Sequence, residues 1–266
     1  MTASAHSMML HESAAAARVR LAVHAVLGST NAHALSLARG GERGPLWITA
    51  ERQTHGRGRA GRSWVSEPGN LYASLLLTAP APARCWPQLS FVAALAVHDA
   101  ITQVAPPLEP RLTIKWPNDL MLDGAKLGGV LIEGESIANQ PVAIGLGVNC
   151  ASHPVFSEYA TTDLAAAGLR VLASTVFSAL SKSMLARLAQ WRRGESFLSV
   201  RSDWLERATG VGERIVVRFG AGVLTGDFET LDEEGRLLLR LPDGRLSTIS
   251  TGDVFILERV ASPGSV

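Results

Sequence analysis

The sequence predicts an α+β chain. Strands and amphipathic helices alternate to about residue 209, and short strands then form a small C-terminal β-barrel of SH3-like size. Three observations predict this. The hydrophobic period switches from 3.6 to two beyond Gly210 and Gly212. The apolar runs before that point are separated by Gly, Pro and Asp turn signals. Hydrophobic residues make up 47% of the chain and charged residues 18%, which supplies a core and carries no signature of disorder. The expected divisions are a loosely ordered lead-in over 1–17, a catalytic or binding domain over 18–209 and the barrel over 210–266.

Leu21 to Leu27 reads as a strand, and a helix follows from Ala32 to Arg39, stopped by Gly40-Gly41. Ser29, Thr30 and Asn31 before it are all N-cap types, so they either cap the helix or present hydroxyl and amide groups to a polar ligand. Pro45 to Ala50 and Asn70 to Leu77 are apolar, strand-like runs. In residues 86–104, Leu89, Val92, Ala93, Ala96, Val97, Ala100, Ile101 and Val104 repeat at helical spacing. His98 and Asp99 fall off that stripe and are expected at the surface. Leu112 to Trp116 and Asp119 to Leu122 are strands, and Asp123-Gly124 turns the chain into a return strand, Ala125 to Glu133. Gly128-Gly129 inside it predicts a close approach of backbone or ligand. Pro141 to Asn149 is a further buried strand. Residues 150–168 are irregular, with a short helical segment expected over 163–167, and helices follow at 171–192 and 195–208. The barrel strands are expected at 214–219, 223–231, 237–241, 246–249 and 254–258.

Composition excludes several classes. A formal net charge of +1 gives no general affinity for nucleic acid or membrane surfaces. No window approaches about eighteen strongly apolar residues, so no membrane span is expected. Residues 1–17 contain no Lys or Arg and so lack the basic start of a signal peptide. Cys85 and Cys150 are the only cysteines, too few for a disulfide framework or a metal-ligand pattern, and a reducing cytoplasm is the expected setting.

Gly56-Arg57-Gly58-Arg59-Ala60-Gly61-Arg62 places three glycines and three arginines in seven residues. Such a stretch suits neither a packed helix nor a central strand. It can bring backbone and permanently charged guanidinium groups to a phosphate or carboxylate. Alone it also fits a solvated, RNA-binding Arg/Gly segment; its place between two core strands favours the anion site.

Four separated pieces ask for one explanation: Ser29-Thr30-Asn31; Gln53 with Gly56 to Arg62 and Trp64; Lys115-Trp116-Pro117-Asn118-Asp119; and Lys126-Leu127-Gly128-Gly129. In this order the chain resembles the biotin protein ligases (biotin–acetyl-CoA-carboxylase ligases) over about residues 20–260. The resemblance implies a mixed sheet flanked by helices, related to class II aminoacyl-tRNA synthetase cores, and then the small barrel. It implies an enzyme that uses ATP and Mg²⁺ to activate biotin as biotinyl-5′-AMP. The biotinyl group then passes to a lysine of a biotin carboxyl carrier protein or domain.

Carried onto this chain, the resemblance puts Ser29, Thr30, Asn31 and Gln53 on the biotin head group. Arg57, Gly58 and Arg59 wrap its carboxylate as a flap, with Lys126 bridging carboxylate and phosphate. Arg59, Arg62, Trp64, Lys115, Asn118 and Asn149 fall on the nucleotide side, Asn149 serving equally well as a strand cap. Arg59, Lys126 and Asp119 are the expected catalytic residues. Asp119 is either a Mg²⁺ ligand or a group that helps the acceptor lysine lose its proton. About twenty residues before the first strand leave no room for a DNA-binding domain, so no operator binding is expected. A homodimer through edge strands is compatible with such a fold. A lipoate or octanoate ligase or transferase and a non-catalytic biotin-binding regulator are the alternatives.

Overall fold

The computed structural model describes residues 8–156, 158–220 and 222–256. The chain begins with α1 (Glu12–Ala16), then β1 (Arg20–Leu27), α2 (Thr30–Arg39), β2 (Leu46–Gln53), β3 (Leu71–Thr78) and α3 (Leu89–Val104). It continues through β4 (Leu112–Lys115), β5 (Asp119–Leu122), β6 (Ala125–Gly134), β7 (Pro141–Val148), α4 (Ala173–Trp191) and α5 (Phe197–Glu206). Five short strands end it: β8 (Arg214–Phe219), β9 (Gly222–Leu231), β10 (Leu237–Arg240), β11 (Leu246–Ile249) and β12 (Asp253–Ile256).

The first seven strands form one mixed sheet in the order β1-β2-β3-β7-β6-β5-β4. Only β1 and β2 are parallel, as the α2 crossover between them requires; the other neighbours are antiparallel. Alternation along the strands divides the sheet into two faces. Leu71, Ala73 and Leu75 of β3, with Val142, Ile144, Leu146 and Val148 of β7, join the core beneath α3 and α4. Leu76 and Ala143 join the opposite cluster with Ala34, Leu35 and Ala38 of α2. On that α2 face lie the small and polar positions Ser74, Gly145 and Gly147, and there the sheet is left open enough for a ligand.

Register sets the order of the side chains. Lys115 pairs with Asp119, Asp119 with Gly129, and Gly129 with Gly147, which makes one row across four strands. The next row runs Leu131, Gly145, Ser74. A register shift beside Leu120 and Met121 marks a bulge in the β5–β6 pair. It re-phases β6, so that Leu127 and Val130, three residues apart, both enter the core, while Lys126 and Gly129 both face the cleft.

The structure corrects four expectations. His98 is only 5% exposed, because α3 is buried on nearly every face between the sheet and α4. Its ring pairs with the Leu112 carbonyl across 3.3 Å, and burial lowers its pKa. Residues 163–167 form no helix; Asp163 instead accepts from the Ala166 N–H at 2.6 Å and holds a turn. Part of the lead-in is ordered: α1 is capped by His11, Ala14 is fully buried, and the His11 N–H donates to Ser181 of α4 at 2.8 Å. The C-terminal strands form a five-stranded antiparallel sheet, β11-β10-β9-β8-β12, whose outer strands do not pair among the described residues. Its expected last strand extends to residues 257–258, which lie outside them.

The small sheet continues the core of the large one. Ile215, Val217, Phe228, Leu231 and Leu237 join the same apolar cluster as Trp116, Phe197 and Trp204. The Trp116 indole N–H donates to the Gly235 carbonyl at 3.0 Å. No helix among the described residues is long and apolar enough to cross a membrane.

Candidate active site

A cleft of about 700 Å³, open at its mouth, lies on the α2 face of the large sheet. It brings together Ser29, Thr30, Asn31, Gln53, Arg57, Gly58, Arg59, Arg62, Trp64, Asn118, Asp119 and Lys126, pieces separated by up to about a hundred residues in the chain. Lys115 and Asn149 stand outside it. Lys115 approaches Asp119 at 3.5 Å from behind. Asn149 lines an adjoining cleft with Trp64, Phe156 and Tyr159, and donates from its side-chain amide to the Thr162 carbonyl at 3.0 Å.

One end of the cleft is a hydrogen-bonded polar wall at the start of α2. Ser29 caps the helix, accepting from the Ala32 N–H at 3.4 Å. Gln53 Oε1 accepts from the Thr30 N–H at 2.9 Å and from the Thr30 hydroxyl at 3.1 Å. Gln53 Nε2 donates to Ser66 at 3.1 Å. Ser74 lies within 2.8 Å of the Thr30 hydroxyl and 2.6 Å of Asn31 Oδ1. Thr30, Asn31 and Ser74 are all buried, so the network offers a fixed set of donors and acceptors. Gly145 makes room for it, because a Cβ there would fall 2.5 Å from Asn31 Oδ1.

The middle is cationic. Lys126 Nζ meets Asp119 Oδ1 at 2.6 Å, with Lys115 on the other carboxylate oxygen. Burial opposes the Asp119 charge, but Lys126, Lys115 and Arg59 together outweigh it and lower the pKa below the ordinary carboxylate range. Trp64 and Tyr159 flank Lys126, their ring centres 5.5 and 5.8 Å from its Nζ. Gly147 admits the Trp64 indole, since a Cβ there would stand 2.6 Å from it. The indole N–H of Trp64 and Oδ1 of Asn118 are buried without a partner, and both residues line the cleft, so both are available to a ligand. Asn118 Nδ2 is already committed to the Val130 carbonyl.

The Gly/Arg stretch is folded. Arg57 and Ser63 form a bridge, the Gly58 N–H donates to the Arg62 carbonyl at 2.7 Å, and Ala60 and Gly61 turn through positive φ of 53° and 73°. Its arginines do not converge on one point. Arg57 pairs with Glu133 at 3.0 Å, whereas Arg59 and Arg62 both reach Asp253 of β12, at 3.1 and 2.9 Å. Burial lowers the Arg59 pKa, against the opposing pull of Asp119 and Asp253.

The structure therefore adds Ser66, Ser74, Glu133, Tyr159 and Asp253 to the residues read from the sequence. Ser74 had a signal, a lone hydroxyl inside an apolar strand. Asp253 sat in a Gly-Asp turn and Tyr159 in an irregular stretch, where no period marks a role.

The Mg²⁺ assignment to Asp119 does not fit these residues. Two lysines already occupy its carboxylate, and no group of three or more His, Cys, Asp or Glu able to hold a metal occurs among the described residues.

Residues 25–149 match the Biotin/lipoate A/B protein ligase family, and residues 210–257 match the Biotin protein ligase C terminal domain. The chain is 40% identical over 234 residues to a biotin–[acetyl-CoA-carboxylase] ligase of Paracoccus denitrificans, covering 85% of this chain and 96% of that one. It is 34% identical over 245 residues to the ligase of the same description from Mycobacterium tuberculosis, covering 88% of each. The structure of the biotin protein ligase from Aquifex aeolicus in complex with biotin and ATP matches at a TM-score of 0.75 and 26% identity, over 90% of this chain and 98% of that one. A mixed sheet with a basic cleft on its glycine-lined face, followed by a small antiparallel sheet, defines a ligase of this architecture. The chain belongs to the biotin protein ligase family.

Proposed function

We propose that this enzyme joins biotin to ATP, forming biotinyl-5′-AMP and pyrophosphate, and then transfers the biotinyl group to a lysine of a biotin carboxyl carrier protein. The carrying observation is Lys126. It stands on Asp119 between the polar wall of α2 and the aromatic pair Trp64 and Tyr159, where a carboxylate from one side would meet a phosphate from the other.

In this reading Ser29, Thr30, Asn31 and Gln53 take the ureido ring, which needs donors and acceptors together. That wall suits a ureido ring far better than the apolar ring of lipoate. A biotin carboxylate oxygen attacks the α-phosphorus and pyrophosphate leaves. Lys126 and Arg59 offset the charge gathered on the phosphorane; a charge-assisted bond contributes about 1.5–3 kcal/mol. The base of the nucleotide lies by Trp64 and Tyr159, with Asn118 on its polar groups and Arg59 and Arg62 toward its phosphates. Magnesium enters with the nucleotide, MgATP being the substrate. In the second step the acceptor amine attacks the carbonyl carbon of the anhydride and AMP leaves. Asp119, with its pKa lowered, is a poor proton acceptor for a lysine ammonium; its part is to hold Lys126 and Lys115 in place. The buried free thiols Cys85 and Cys150 and the need for ATP fit a reducing cytoplasm.

The test is direct. With biotin and MgATP the purified chain should release pyrophosphate, and with an added carrier domain it should yield AMP and biotinylated carrier. No biotin-dependent pyrophosphate, with transfer of lipoate or octanoate instead, would overturn the reading.

A further inference from the structure

The polar wall and the Gly/Arg flap meet at one atom. Glu133, on β6, does not line the cleft, yet its Oε2 accepts from Asn31 Nδ2 at 2.9 Å and from Arg57 Nη2 at 3.0 Å. Asn31 is only 3% exposed, and the orientation of its amide is decided by its partners. The Ser74 hydroxyl at 2.6 Å faces Oδ1, while Glu133 and the Leu131 carbonyl receive the two protons of Nδ2. Ser74 and Leu131 contribute one contact each; among the described residues Glu133 supplies the only charged partner on the amide. The same carboxylate anchors the first arginine of a stretch whose middle and last arginines, Arg59 and Arg62, are held by Asp253.

We propose that Glu133 is a positioning residue that fixes the Asn31 amide and the Arg57 end of the flap together, so that the head-group wall and the cover over the activated acid assemble as one unit. The inference rests on the ligase reading above. The two arms of the carboxylate separate chemically. A glutamine in its place keeps an oxygen for Asn31 but has no charge for Arg57.

The experiment compares Glu133→Ala and Glu133→Gln with the unaltered enzyme by KM for biotin, KM for ATP, melting temperature, and the rate at which the adenylate is lost to water without acceptor. Glu133→Ala should raise the KM for biotin about tenfold or more and accelerate adenylate loss, with the KM for ATP held within about twofold. Glu133→Gln should bring the KM for biotin back to within about threefold of the unaltered enzyme, while adenylate loss stays fast. An unchanged biotin KM in Glu133→Ala would overturn the proposal, as would identical behaviour of the two variants. Equal rises in both KM values with a lowered melting temperature would also overturn it, showing a structural role only. If the unaltered enzyme forms no biotinyl adenylate, the ligase reading falls and this inference with it.

Discussion

Asp119 is the carboxylate on which three cations converge, and its chemistry follows from their number. Lys126 touches it, Lys115 lies behind it and Arg59 adds a longer-range pull. Because the folded pKa lies below the unfolded value of about 4, this stabilisation is fully present above about pH 4 and is lost as pH falls through the folded value. Asp119→Asn should therefore lower stability at pH 7 by about 3 kcal/mol, the usual cost of removing one partner from a buried pair. The gap from the unaltered protein should close on acidification, which thermal melts from pH 7 to pH 3 will show. Lys126→Ala acts differently. It should slow adenylate formation about a hundredfold or more in a chain that still folds, read by pyrophosphate release beside a melting curve.

At the scale of the element, β7 shows how a strand becomes the floor of a site. Its core-facing positions are Val142, Ile144, Leu146 and Val148, and its cleft-facing positions include Gly145 and Gly147. Each glycine is matched to one side chain, Gly145 to Asn31 and Gly147 to Trp64. Gly147→Ala should displace the indole and weaken nucleotide binding about tenfold or more, while Gly145→Ala should act on biotin binding instead. Calorimetric titration with each ligand separates the two, and a shared defect would contradict the assignment. Much of this was legible in the sequence. The apolar run Pro141 to Asn149 reads as a buried strand, and Gly128-Gly129 inside the neighbouring strand announces a close approach. The Gly/Arg and Lys-Trp-Pro-Asn-Asp pieces marked the cleft. What stayed hidden depends on register and long-range pairing. The β5–β6 bulge turns Lys126 to the cleft face, and Asp253 meets Arg59 across 194 positions of sequence. His98 was misplaced because the helical stripe marks one face as buried, whereas α3 is covered on almost all sides.

On the scale of the whole molecule, the small C-terminal sheet shares an apolar core with the large one, through Trp116, Phe197 and Trp204 against Phe228 and Leu231. Such a chain should unfold in a single calorimetric transition, and two resolved transitions would show that the sheets are independent. The ion pair from Asp253 to Arg59 and Arg62 has a kinetic consequence. With Arg59 and Arg62 proposed above for the ATP phosphates, an arriving triphosphate would have to take them from a carboxylate already seated there, and its capture would be an exchange of counter-ions. Long-range attraction is correspondingly muted. The association rate for MgATP should vary only weakly with ionic strength, and Asp253→Ala should make it both faster and steeply salt-dependent.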